Sequence, residues 1–195
     1  MKSRRVSGFS LTELVVAMAV AMILMAVSLP YFMRAYHSYQ LSNAATQMAD
    51  ILRLTRYEAI RRNTTVNCLI RPDAANPGMT DALMTDVSGN PLNGMAARMV
   101  LFGPSGNLVD SGSVTIAGAL PAAAALGATT PTPVPPTGGT IPFDARGALT
   151  TRNVTVFYLN APGSPESGFR AVLLMPAGSI QIWSGISGGT WWQVR

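Results

Sequence analysis

The sequence predicts an α+β fold: one long N-terminal helix, membrane-spanning at first and then a stalk, packed on a C-terminal head of antiparallel β-sheet. Three observations carry this reading. Phe9 to Leu29 is an apolar run holding a single charged residue, Glu13. Beyond Pro30, Leu41, Ala44, Ala45, Met48, Ile51, Leu52, Thr55 and Ala59 recur at steps of three and four, the spacing of one helix face. From Thr64 onward, short β-branched runs alternate with Gly, Pro, Asn and Ser, the residues that connect strands.

The first eight residues, Met1 to Gly8, are short, basic and polar. From Phe9 to Leu29 a helix rising about 1.5 Å per residue covers roughly 30 Å, the thickness of a bilayer's hydrocarbon core. An ordinary secretory signal also places Lys and Arg before an apolar stretch, and Ala26-Val27-Ser28 offers it a small-residue cleavage site. Against that alternative, the run is longer than a usual signal core and contains Glu13. An unpaired carboxylate in lipid costs about 2.5 kcal/mol or more, so Glu13 needs either a positive partner or a place at the hydrated interface. Pro30 closes the run; a proline there removes one backbone hydrogen bond and offers the helix a place to kink.

After Pro30 the helix becomes amphipathic, residues 31–63 forming the stalk. Arg34, Gln47, Asp50, Arg53, Arg56 and Arg62 occupy the polar side as a solvated face, and Glu58 stands four residues before Arg62, the spacing of an ion pair. The helix should end near Asn63, where Thr64 to Ile70 switches to a period of two and begins the head, residues 64–195. Further strands are expected at Arg98–Phe102, Ser113–Ala117, Thr140–Phe143, Asn153–Leu159, Phe169–Met175, Ser179–Trp183 and Thr190–Val194. Two stretches read as irregular: Asp73–Gly94, with its Asn-Pro-Gly and Gly-Asn-Pro turns, and Ala119–Pro142, whose six prolines argue for an extended, mobile surface loop that does not pair regularly.

Charge narrows the function classes. The chain of 195 residues carries a net +5, but Lys2, Arg4 and Arg5 supply three of those charges, so the basicity belongs mainly to the leader and argues against nucleic acid as a partner. Cys68 is the only cysteine, which excludes an internal disulfide and a cysteine metal cluster; it reads as a small apolar core residue. No pattern of residues assigns a catalytic group, a cofactor or a metal.

Gly8, then Phe9, with Glu13 fifth counting from Phe9, resembles the type III signal of type IV prepilins and type II secretion pseudopilins. The resemblance implies that a prepilin peptidase cuts after Gly8 and methylates the new amine of Phe9. It also implies that Glu13 meets the N-terminal amine of a neighbouring subunit, an opposite charge that offsets its desolvation and sets the register between helices. The plain alternative, a hydrated Glu13 at the end of an ordinary anchor, stays open here.

The second half of the helix narrows the family. Ala44 to Asn63, above all Arg56-Tyr57-Glu58-Ala59-Ile60-Arg61-Arg62, resembles the GspH/FimT group of minor pseudopilins and minor pilins, as do Ile141 to Gly147 and Arg170 through Gly178. This implies a non-enzymatic, low-abundance structural subunit near the tip of a type II secretion pseudopilus or a type IV pilus. Its partners would be other pilins or pseudopilins, the inner-membrane assembly platform and lipid. The chain would cross the bacterial inner membrane once, its head in the periplasm.

Some FimT-like proteins bind DNA through a basic C-terminal stretch, which makes DNA uptake the alternative function. The tail here, Gly189 to Arg195, has one Arg, and its adjacent Trp191 and Trp192 should split between core and solvent. Gly185-Ile186-Ser187-Gly188-Gly189 has the spacing of a hydrolase nucleophile elbow, but an elbow needs a strand-to-helix turn and a later histidine, and the single His37 precedes it in the stalk.

Overall fold

The computed structural model describes residues 10–72, 80–92, 98–100, 107–116, 120, 131–161 and 165–194. It divides between Tyr36 and His37 into two compact units. The first contains the N-terminal part of helix α1 (Leu11–Arg62), and every described side chain there, Ser10 to Tyr36, is exposed. The helix runs through Pro30 without ending. The missing N–H of Pro30 deprives the Ala26 carbonyl of its intrahelical donor, and in the same turn the Ser28 hydroxyl donates to the Met25 carbonyl at 3.3 Å.

In the second unit the helix buries the face that its spacing marked: Leu41, Ala44, Ala45, Met48, Ile51, Leu52, Thr55 and Ala59, joined by Ala49. Small residues at 44, 45, 49 and 59 let the helix lie close on the sheets. Its end is closed by a Schellman arrangement: Asn63 is left-handed (φ 51°), its N–H donates to the Ile60 carbonyl, and the Thr64 N–H reaches the Ala59 carbonyl, both at 3.2 Å. Asparagine is among the few non-glycine residues that take this conformation readily. Outside the core, Glu58 accepts from Arg61 at 2.8 Å and Arg62 at 3.0 Å, and these hydrogen bonds, Arg61 first, hold its carboxyl below the ordinary value.

Among the described residues ten strands follow: β1 (Val66–Pro72), β2 (Thr80–Thr85), β3 (Arg98–Val100), β4 (Asn107–Val109), β5 (Thr132–Pro133), β6 (Gly139–Phe143), β7 (Thr155–Asn160), β8 (Phe169–Leu174), β9 (Ile180–Gly185) and β10 (Trp191–Val194). The first sheet has the order β3-β2-β1-β6 and the second β10-β9-β8-β7-β4, with β5 also beside β7; every pair is antiparallel except β5 with β7, which is parallel. The main core lies between the helix and both sheets, with Phe143, Phe157, Leu159, Val172 and Leu174 against the helix residues. A second core covers the far face of the second sheet, where Val156, Ala171, Leu173, Trp183 and Trp191 meet Ile116 and Leu120. β8 is therefore buried along its whole length, which is why it reads Phe-Arg-Ala-Val-Leu-Leu rather than as a polar and apolar alternation.

Four sequence expectations are corrected. The stretch 73–94 is not wholly irregular, because Thr80–Thr85 forms β2 and pairs with β1 from Thr85 to Thr80; its turn residues flank the strand and do not occupy it. Val114–Ile116 forms no strand, and Ser113 closes a single 3-10 turn, although Ile116 is buried. β4, too short to show a period of two, was not foreseen. The proline-rich stretch does pair: the N–H groups of Thr132 and Val134 donate to the carbonyls of Val154 and Val156 at 2.8 and 2.9 Å. Pro133 stands between them on the side facing away from β7, where its missing N–H removes no ladder bond. Leu120 and Val134 are buried as well, so both described ends of this segment are fixed to the head, residues 121–130 lying outside the described residues.

Cys68 lies fully buried on β1, and burial pushes its thiol up to about 12. In the native chain a maleimide at pH 8 should leave Cys68 unlabelled, and labelling should appear only as denaturant unfolds the head, as intact mass would record; rapid native labelling would contradict this packing.

Candidate functional site

Glu13 lies in the first turn of α1, where free backbone N–H groups favour a negative side chain. The Leu14 N–H donates to the Ser10 carbonyl at 3.1 Å, and the hydroxyls of Ser10 and Thr12 are 2.8 Å apart. Gly8 and Phe9 lie outside the described residues. Glu13 is exposed and makes no ion pair among the described residues. Around and after it, Leu11, Leu14, Val15, Val16, Met18, Val20 and the apolar residues on to Leu29 are exposed on every side of the helix, and the span of this helix apolar and long enough to cross a bilayer is not buried at all. Tyr31, Phe32 and Tyr36, all exposed, surround Arg34 directly after the run. Amphipathic rings beside a basic residue suit the headgroup level of a bilayer. The sequence carried that signal, but only Arg34 was read from it.

In the head, Arg170 of β8 is the residue that sequence reasoning passed over. It is 8% exposed, yet every N–H of its guanidinium is used: Nε and Nη2 donate to Ser42 Oγ at 3.2 and 3.1 Å, Nη2 to Ser38 Oγ at 3.1 Å, and Nη1 to the carbonyls of Phe169 and Ser167 at 3.0 and 3.4 Å. No carboxylate among the described residues pairs with it. Burial works against its charge and lowers its pKa, and neutral oxygens alone hold the cation. The result is a clamp between the helix and the sheet. A lone charge inside a six-residue apolar strand was the available signal.

Arg56 also departs from its expected place on a solvated face. It is half-buried, and its Nε is enclosed without a hydrogen-bond partner among the described residues. Its side chain runs over two tight turns. In the first, Asp144 Oδ1 accepts the N–H groups of Arg146 and Ala148, both at 2.9 Å, and Gly147 follows at φ 77°. In the second, Gly178 has φ 80°. A Cβ on Gly147 would meet Ile60 Cδ1 at 2.7 Å and Arg56 at 2.9 Å; one on Gly178 would run into the Gly147 carbonyl. The helix block Arg56–Arg62 and the segments ending at Gly147 and Gly178, separate in sequence, are thus one packed unit.

At the C-terminal end, Trp191 is buried in the second core and Trp192 is exposed, the split expected of adjacent residues on a strand. Ser187 sits in the turn between β9 and β10, its hydroxyl 2.6 Å from that of Thr115. That is a hairpin turn and not the strand-to-helix turn of a nucleophile elbow, and His37 lies on the helix.

Residues 3–29 match the model of the prokaryotic N-terminal methylation motif, and residues 44–178 match that of type II transport protein GspH. No curated protein matches the chain. Among solved structures it is similar to the type IV minor pilin FimU of Pseudomonas aeruginosa in two crystal forms. In one the identity is 14%, with 74% of this chain and 88% of that one covered and a TM-score of 0.49. In the other the identity is 15%, with 73% and 91% covered and a TM-score of 0.46.

Two glycine variants separate steric from conformational strain. Gly178→Ala meets both positive φ and the Gly147 carbonyl, whereas Gly188→Ala meets positive φ (75°) with nothing within 4 Å. In thermal melts of the detergent-extracted chain, Gly188→Ala should lose about 1–2 kcal/mol and Gly178→Ala clearly more; equal losses would contradict the packing of the two turns.

Proposed function

We propose, from the premise that this chain belongs to the GspH family of type II transport proteins, that it is a minor structural subunit of a type II secretion pseudopilus or a type IV pilus, placed near the tip. Residues 1–8 are the leader, which a prepilin peptidase removes after Gly8 before methylating the amine of Phe9. Residues 9–30 then cross the inner membrane, 31–63 form the stalk, and 64–195 form the head on the periplasmic side. On assembly the apolar rods leave the lipid and pack on one another, drawn by the inner-membrane platform, and the chain makes and breaks no bond of a substrate.

The observation that supports this most is the exposed rod itself. Its side chains are exposed around the whole circumference, so it needs an apolar surround on all sides, first lipid and then neighbouring helices. Within that surround an ionised Glu13 is tolerable only beside a positive group, and the freed amine of a neighbouring subunit is the group that proteolysis supplies. The amine gives Glu13 a partner in the filament that it lacks among the described residues. Pro30 provides the helix with a weak point between rod and stalk.

Glu13→Ala tests the pairing. The variant makes the anchor more apolar, so membrane insertion and leader removal should be unchanged, while its recovery in sheared filaments should fall about tenfold or more, the loss of one buried charge pair worth at least about 1.4 kcal/mol. Undiminished recovery would leave Glu13 as a hydrated residue of a plain anchor.

A further inference from the structure

Residues 14–33 carry no charged side chain, and the stretch is closed by Glu13 at one end and Arg34 at the other. A membrane-spanning helix needs about 20 such residues. The helix runs through the whole stretch, Pro30 included. At about 1.5 Å per residue it rises roughly 31 Å between the two charges, the thickness of a bilayer's hydrocarbon core, but only about 26 Å from Glu13 to Pro30. With Glu13 at one interface, a span closed at Pro30 falls short, and the turn after the proline completes it.

That turn has the composition of a membrane surface. Tyr31 and Phe32 are 68% and 67% exposed, and Met33 and Tyr36 are 46% and 49% exposed. At about 100° per residue these four side chains point in different directions round the helix, and Arg34 fills the remaining side. A partner packed on one side needs a stripe; a ring suits a continuous surround. The tyrosine rings set an apolar body in acyl chains and a hydroxyl among headgroups. Arg34 is exposed and makes no hydrogen bond or ion pair among the described residues. Its guanidinium is a planar fork of N–H donors that matches two oxygens of one phosphate, and its long stem can lie along the helix while the charge reaches the headgroups.

We propose that Arg34 binds a phospholipid phosphate on the far side of the bilayer from Glu13, and that Tyr31, Phe32 and Tyr36 form a collar that holds it at that depth. The proposal rests on the membrane reading above and moves the outer boundary of the span from Pro30 to Arg34. The first turn of the stalk thus belongs to the membrane, and the collar fixes how deep the anchor sits before a filament takes it up.

The test uses the detergent-extracted full chain, isotopically labelled at its arginine Cζ carbons. It is reconstituted into vesicles of phosphatidylethanolamine and phosphatidylglycerol in phosphate-free buffer. In solid-state NMR, lipid phosphorus should dephase one arginine signal. Arg34→Leu should abolish that dephasing and leave the melting temperature of the head unchanged, since Arg34 is exposed on the rod. A fluorophore on Met33→Cys, Cys68 being buried, should be quenched more by lipids spin-labelled at the headgroup than by lipids labelled mid-chain, and one on Val20→Cys the reverse. Adding Arg34→Leu should shift the Met33→Cys probe toward the mid-chain label. No dephasing in a chain embedded in the vesicles, dephasing that survives Arg34→Leu, or a Met33→Cys probe quenched best from mid-chain would each overturn the phosphate site alone. So would equal dephasing by inorganic phosphate in galactolipid vesicles, which contain no phosphorus, because Arg34 would then hold a free anion. A chain that floats with no vesicle of any composition would overturn the membrane reading and this proposal together.

Discussion

The constraint on which the rest depends is a rod of apolar side chains that no described residue covers. From Leu11 to Leu29 the helix is exposed around its circumference, and burial of apolar surface is worth about 25 cal/mol per Å², so water is the one surround the rod cannot keep. Lipid satisfies it, and so do other helices of the same kind. A bilayer and a filament core are alternatives of similar polarity for this segment, and a subunit can pass from one to the other without a large loss of hydrophobic free energy. What distinguishes the two is the single charge in the rod. In a bilayer Glu13 can sit by the interface; inside a filament it would need a cation, and on the proposed reading that requirement sets the register of the assembly.

The head meets a different demand, which is to hold the lower half of the same helix firmly. It does so by close packing of small and branched residues against two sheets, by the Schellman end at Asn63, and by two polar devices. Arg170 ties its strand to Ser38 and Ser42 with no counter-charge, an arrangement that stays satisfied only while helix and sheet remain in contact. Arg56 and Ile60 lie over the glycine turns at 147 and 178, positions where any side chain would collide. Both devices make the placement of the helix on the head specific as well as stable.

Much of the fold was legible in the sequence because helix and strand periods are written in apolar spacing. All eight helix residues marked by the spacing are buried, Ala49 being the one it left out, and seven strands fell close to their runs. What spacing could not reveal was whatever depends on residues far apart in the chain. β2 was hidden among turn residues, and β4 is too short for a period. The pairing of Thr132 and Val134 depends on which side of a strand Pro133 faces, which only the partner β7 decides. Arg56 reads as solvated on a helical wheel, yet two distant turns close over it. For the candidate site, Glu13 and Pro30 were marked by being out of place in an apolar run, whereas Arg170 was marked in the same way and passed over.

The central claim is that cleavage after Gly8 frees the amine of Phe9 at the head of the rod. Intact-mass measurement of the protein extracted from membranes tests it most directly. The account predicts one species that begins at Phe9 and carries one added methyl group. A native protein that retains Met1, or one trimmed beyond Ser28 and free of the membrane, would contradict it.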